Sequence, residues 1–380
     1  MLTQIINGKI LTNEGWLDGG SIIISDSKIL EITDSDLPRV GANIVDVKGD
    51  YILPGFVAMN IHGGGGHAYK EGTREAFDAA TSVHLRHGAT TIFPTIYTAK
   101  TEKIYNSAKV CEDILNEGNT PIKGLHIAGP YFNPQMVKGF PGAKDPDKEE
   151  YLKILSDIPF IKRWDLSPEL PGAYEMATIL KWKNIIAGIT HTQAEFKVVK
   201  EALESGFTHV SQLYNSMPGF HKRGEYKYEG TVESVLLLDE MSVEVIADGK
   251  HLPGTILRLV YKLKGVENMS LVTCALKYAG YDGEPEADSD FIIEDGVCKL
   301  KDHSTLAGSI ATMDRVIRVA VEAGIPFEDA VRMASETPAK VMRCFDKVGS
   351  LEEGKNADIV TMNKDLEVTG VWSQGVKYEG

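Results

Sequence analysis

Short apolar runs recur through the middle of the chain, separated by stretches whose apolar residues repeat at helical spacing. Eight of these runs read as strands: YILPGFVAMN, TTIFPTIYT, IKGLHIAG, PFIKRWDLS, KNIIAGITH, FTHVSQLYN, SVEVIADG and MSLVTCAL. Between them, amphipathic segments such as TREAFDAATSVHLRHG, KIYNSAKVCEDILNEG and FKVVKEALESG end at a glycine, as helices do at their C-terminal cap. Runs that are apolar throughout suit a parallel sheet covered on both faces. Eight strand–helix alternations predict an α/β fold of the (β/α)8 TIM-barrel type, whose usual size is about 250 residues. An open doubly wound sheet is the alternative, but no GxGxxG follows the first strand.

The two ends of the chain read differently. Residues 1–52 are short strand-like runs broken by Asn-Gly, Gly-Gly and Lys-Gly-Asp, and residues 346–380 return to the same turn-punctuated, β-branched style. The pattern predicts one small sheet domain assembled from both termini, with the barrel domain spanning 53–345. After the eighth run comes an insertion, GYDGEPEADSD, and then FIIEDGVCKL, an Asp-Gly hairpin.

The stretch Leu53–His67, LPGFVAMNIHGGGGH, opens the predicted barrel. Asn60 and His62 lie two apart and so face the same side of a strand. The four glycines Gly63 to Gly66 allow close backbone approach to a ligand, although for this stretch taken alone a flexible loop beside a core histidine is the better account.

Composition narrows the function classes. With 43% hydrophobic and 25% charged residues the chain is an ordinary globular one. A net charge of -14 argues against nucleic acid or an anionic membrane as partner, yet leaves room for a phosphorylated small molecule met by a few local cations. Cys111, Cys274, Cys298 and Cys344 are scattered, so neither a disulfide framework nor a zinc finger is indicated. No signal-peptide pattern or membrane-length apolar run is present, and a cytoplasmic location is expected.

In a barrel, active-site residues come from strand ends. Here these carry Asn60 and His62 (first), Ala128 (third), His191 (fifth), Gln212 and Asn215 (sixth), His251 (seventh) and Cys274 (eighth). His84 and His87 fall on a helix, His126 inside a strand and His303 in a linker, where surface or satisfied core roles are expected.

Taken in order, LPGF with HGGGG, GLHIAGPYFNP, SPELPGA, THTQA, QLYNSMPGFHKR, VIADGKH, LVTCA, TLAGS and GSLEEGKNADIV resemble the N-acetylglucosamine-6-phosphate deacetylase family of the amidohydrolase superfamily. The resemblance implies a barrel with a small β-sandwich built from both ends, a homodimer, and hydrolysis of the acetamide of an amino-sugar phosphate to amine and acetate. It also implies a divalent metal, commonly zinc, that activates water, with an Asp on the eighth strand as general base. Carried over by position, Asn215 and Ser216 match the pair that holds the sugar phosphate, and Arg223 matches an arginine suited to phosphate. His251 matches the histidine that contacts the sugar and polarises the amide. Leu306, Ala307 and Gly308 match the loop at the acetyl end, and His191 matches one metal ligand.

Other positions depart from that pattern. Ala128 stands where the family has a ligating Glu, Gln212 where it has a ligating His, and Cys274 where it has the catalytic Asp. Ala58 and Asn60 replace Asp and His on the first strand, and Gln193 replaces an Asp. Three readings follow: zinc-dependent deacetylation, weak or lost here; a hydrolase with a remodelled metal site of His62, His191 and Cys274; and a non-catalytic, sugar-phosphate-binding relative.

Overall fold

Each of the eight apolar runs contributes a barrel strand in the computed structural model, which describes residues 2–137, 140–286 and 289–379. The first run, YILPGFVAMN, splits at Gly55 and gives its opening Tyr51–Pro54 to another sheet. The barrel strands are β1 (Phe56–Ile61), β2 (Ala89–Tyr97), β3 (Leu125–Ala128), β4 (Ile161–Leu166), β5 (Ile186–Ile189), β6 (Phe207–Val210), β7 (Ser242–Ile246) and β8 (Met269–Val272). All neighbours pair in parallel, in the order β8-β7-β6-β5-β4-β3-β2-β1. The seam between β8 and β1 closes just past the strands, where Cys274 N donates to Asn60 O (3.1 Å) and His62 N to Ala275 O (2.9 Å). A helix follows every strand, from Arg74–Arg86 after β1 to Met313–Glu322 after β8. This is the TIM-type barrel that the alternation predicts.

The terminal segments form one further sheet. Strand Tyr51–Pro54 pairs in parallel with Leu2–Thr12 on one side and antiparallel with Ile359–Met362 on the other, which ties the two ends of the chain together. Ile5, Ile10, Ile22, Ile52, Ile359 and Trp372 fill its core. Two of the turn signals in this region act otherwise. Asn7-Gly8 and Gly19-Gly20 lie inside the long strands Leu2–Thr12 and Gly15–Ser25, where the register shifts as at a bulge. Gly8 is small because a Cβ there would meet the Ile52 side chain at 2.6 Å. The hairpin Phe291–Glu294/Val297–Leu300 forms around Asp295-Gly296 as expected. Residues 287 and 288 of the preceding insertion lie outside the described residues. Leu306–Gly308, expected as a loop, belong to a third strand, Leu306–Ser309, which bridges to the barrel rim at Ala275. Among the described residues, no helix is long and apolar enough to cross a membrane.

The glycine loop after β1 is a protein contact. Gly63 N donates to Ala275 O (3.0 Å), Gly65 N to Ala279 O (2.8 Å) and Gly66 N to Lys277 O (2.7 Å), so the loop is laced to the segment that follows β8. His84, buried on the first helix, donates from Nε2 to Gly63 O at 2.9 Å. A Cβ on Gly63 would lie 2.2 Å from the His67 carbonyl oxygen, a backbone atom that cannot step aside. Gly63→Ala should therefore cost about 2 kcal/mol in urea unfolding, as overpacking does, and an unchanged midpoint would contradict this account of the loop.

Candidate functional site

The C-terminal ends of the barrel strands meet in a mouth with two unlike sides. On one side, Asp248 and His251 follow β7. Asp248 accepts from the backbone N–H groups of Lys250 and His251, both at 2.9 Å, and lies 2.7 Å from His251 Nδ1. Burial works to raise the Asp248 carboxyl, but the hydrogen bonds from His251 and Lys250 outweigh it and hold the group below the ordinary range. With Nδ1–H committed to Asp248, His251 keeps Nε2 free for a ligand. In the β6 loop, Asn215 Nδ2 donates to Gln212 Oε1 at 2.8 Å, and the Ser216 carbonyl accepts from Thr192 N at 3.2 Å, which joins the β5 and β6 loops. Arg223 stands apart. It is half-exposed on the hairpin His221–Arg223/Tyr226–Tyr228, pairs with Glu195 at 2.6 Å and stacks over Tyr228 at 3.6 Å.

The other side is apolar. Ala128 packs with Phe132, Val137, Tyr97, Phe140 and Ala143. His191 lies in the same group, its ring centroid 4.7 Å from Phe132 and 6.1 Å from Tyr97, and its buried Nδ1 has no hydrogen-bond partner among the described residues. Tyr97 also packs edge-on to His62 at 5.8 Å. His62 Nε2 reaches Cys274 Sγ at 3.2 Å. Desolvation pushes His62 down to about 3, helped by the nearby His126 and Lys70, and pushes His191 down to about 4. It raises the Cys274 thiol well above its usual value, as do the nearby Glu244 and Asp248 carboxylates. At neutral pH the side thus holds two neutral imidazoles and a thiol.

His191, Gln212 and Cys274 share a backbone feature. Their φ values are +44°, +49° and +46°, in the left-handed region that non-glycine residues rarely adopt. Each costs about 1 kcal/mol or more, and such strain gathers where a fold aims side chains into a site.

These residues do not fit a divalent ion. Ala128 has no donor atom, Gln212 Oε1 is engaged by Asn215, and His191 sits among aromatic rings. Among the described residues, no group of three or more His, Cys, Asp or Glu side chains is arranged to hold a metal. Of the set His62, His191 and Cys274, the first and third touch, while His62 and His191 both pack against Tyr97.

Below the mouth lies a feature that the reading of strand ends passed over. Arg163 and Asp165 on β4, Glu244 on β7, His126 on β3 and His209 on β6 are all buried inside the barrel. Arg163 forks onto Asp165 through Nε and Nη2, both at 2.7 Å, and reaches Glu244 Oε2 through Nη1 at 2.7 Å. His209 Nε2 lies 3.2 Å from Glu244 Oε2. His126 Nε2 is 2.9 Å from Asp165 Oδ2. The other Glu244 oxygen accepts from Asn60 Nδ2 (2.5 Å), Ser211 Oγ (2.9 Å) and the Gln212 backbone N–H (3.2 Å). The sequence signal was charged residues in alternation within otherwise apolar strands. Glu169 of the SPELPGA stretch, also unflagged, accepts from Asn133, Thr192 and the Gln193 N–H and so ties three loops together.

Two outcomes follow from the neutral side. Cys274 should react with iodoacetamide far more slowly in the folded protein than in urea; equal rates would mean an activated thiolate. The ordinary His value of 6.5 is lowered on folding for His62, and to about 4 for both His84 and His191. Their stabilising contribution is therefore complete above pH 6.5 and is lost as pH falls toward the folded-state values. Each should remove about 1.4 kcal/mol per pH unit in that window, measured by urea unfolding from pH 7.5 to 4.5; a flat profile would contradict neutral burial.

The amidohydrolase family profile matches residues 51–377. An N-acetylglucosamine-6-phosphate deacetylase of Haemophilus influenzae is 27% identical, with 99% of each chain covered. An N-acetylgalactosamine-6-phosphate deacetylase of Escherichia coli O157:H7 is also 27% identical over 98% of this chain and 99% of the relative. Among solved structures, the N-acetylglucosamine-6-phosphate deacetylase of Pasteurella multocida superposes with a TM-score of 0.93 at 26% identity, over the whole of both chains. With the profile spanning most of the chain and the barrel present strand for strand, this protein belongs to the amidohydrolase family.

Proposed function

We propose that this chain is a deacetylase-like amidohydrolase that recognises an N-acetylated amino-sugar 6-phosphate at the barrel mouth and hydrolyses its acetamide weakly or not at all. The observation that carries the reading is the contrast across the mouth. The His251–Asp248 pair and the Asn215 loop keep polar groups arranged for a sugar, while an apolar cluster and neutral imidazoles stand where metal chemistry is expected.

On this reading His251, oriented by Asp248, offers Nε2–H or its lone pair to the sugar or the acyl oxygen, and Asn215 and Ser216 frame the phosphate end. Leu306–Gly308 line the acyl end; there Gly308 permits close packing, since a Cβ would strike Leu276 at 2.6 Å. Arg223 supplies the phosphate with a guanidinium on leaving Glu195, or serves a partner's site in a homodimer. The reading places the protein in the cytoplasm.

Chemistry is the weak part. Zinc is the ion that the resemblance implies, and the side chains at Ala128 and Gln212 do not fit it. Loss of general-base help alone costs roughly 10²–10⁴ in rate. A neutral Cys274 does not supply that base, and groups that bind ground state and transition state alike do not speed the chemical step. The non-catalytic reading differs only in that turnover is nil.

Calorimetry should show N-acetylglucosamine 6-phosphate or N-acetylgalactosamine 6-phosphate binding well above the unphosphorylated sugars. His251→Ala should weaken it about tenfold, the order expected for one charge-assisted hydrogen bond. Equal binding of phosphorylated and plain sugars would refute the proposal. Turnover should be far below that of a competent deacetylase, and Cys274→Asp alone should not restore it, because residues acting as a unit are not additive. Robust deacetylation that disappears in His251→Ala would refute the weak-activity half.

A further inference from the structure

We propose that Arg163, held by Asp165 and Glu244, is the barrel's own internal cation and replaces the divalent metal that the resemblance implies, so that fold and mouth are ordered without any metal. Three observations carry this. First, the cluster bridges the barrel: Arg163 and Asp165 come from β4, Glu244 from β7, and their contacts extend to β1 through Asn60 and to β6 through His209 and Ser211. A metal at a barrel mouth ties strand ends together in the same manner, through ligands drawn from several strands.

Second, Glu244 touches the positions where ligands are expected. One carboxylate oxygen receives the Asn60 amide and the Gln212 backbone N–H, so the residues standing in for two family histidines are anchored to a carboxylate fixed by Arg163. Third, the carboxylates have little left to offer an incoming ion. Both Asp165 oxygens are taken by the guanidinium fork, and one Glu244 oxygen is shared by Arg163 and His209 while the other accepts three hydrogen bonds. Even the backbone makes room for this arrangement: a Cβ on Gly188 of β5 would lie 2.1 Å from Asp165 Oδ1.

The inference is tested on the full chain, first by melting it after dialysis against EDTA, with and without added zinc, alongside metal content by mass spectrometry. The expected result is substoichiometric metal and the same melting temperature throughout. Arg163→Met should lower the melting temperature by about 10 °C or fail to fold, since it leaves two buried carboxylates unpaired, and Arg163→Lys should lower it by less. The milder Glu244→Gln keeps shape and should fold. In it, hydrogen exchange should quicken about tenfold across residues 211–216, where the carboxylate anchors the loop, and not in the terminal sheet. A tightly held equivalent of metal, a clear stabilisation by zinc, or a Glu244→Gln protein with unchanged stability and exchange would overturn the proposal. None of these readouts depends on sugar-phosphate binding, so the two proposals fail separately.

Discussion

The Arg163–Glu244 ion pair is the constraint on which the mouth depends. A buried carboxylate without a partner is expensive, and a bidentate guanidinium is the protein group best able to satisfy two of them at once. The opposing charges set the protonation states: burial by itself would raise Asp165 and Glu244, yet Arg163 and the imidazoles hold both carboxyls far below the ordinary range. Because Glu244 stays ionised, its second oxygen is a strong acceptor, and Asn60, Ser211 and Gln212 order around it. The polar interior and the start of the β6 loop are thus one connected network.

That network also explains how the mouth can be apolar on one side. With charge confined below, the β3 loop lays Phe132 and Phe140 against Tyr97 and the small Ala128, and the two imidazoles among them are driven neutral. A neutral imidazole in an apolar wall is a modest hydrogen-bonding group. Opposite it, His251 is still oriented by an ionised Asp248. On the proposed reading the asymmetry favours recognition over hydrolysis: one side carries the oriented His251–Asp248 pair, and the other offers two neutral imidazoles and a thiol.

Much of the fold was legible in the sequence because strand and helix periods differ and each barrel strand is a continuous apolar run. Each of the eight runs holds a barrel strand, although the first splits at Gly55 between two sheets. Asn7-Gly8 and Gly19-Gly20 misled because a bulge and a turn both use residues tolerant of positive φ, and only pairing with a neighbouring strand tells them apart. Of the residues at the barrel mouth, His62, His191, Gln212 and Cys274 were legible from strand ends, and His251 and Asn215 besides. Their mutual distances were not, for a barrel's radius and loop paths decide which of them meet. Arg163, Asp165, Glu244 and His209 escaped for another reason. They lie within strands, where ionisable groups are scarce, and their meaning appears only once β4 and β7 face each other across the barrel.

The environment now built around each replaced residue resists a return to metal chemistry one position at a time. A glutamate at 128 would enter a cluster of three aromatic rings and a valine, with the neutral His191 imidazole packed on the same Phe132. Burying that charge without a partner costs several kcal/mol, or the group stays protonated and binds nothing. A histidine at 212 would give up the amide acceptor that holds Asn215 and so disturb the part of the mouth best suited to a sugar. An aspartate at 274 would sit within the field of Glu244 and Asp248, the carboxylates that already oppose ionisation of the thiol. Only an incoming cation could offset all three changes together, and the barrel already contains a cation of its own in Arg163.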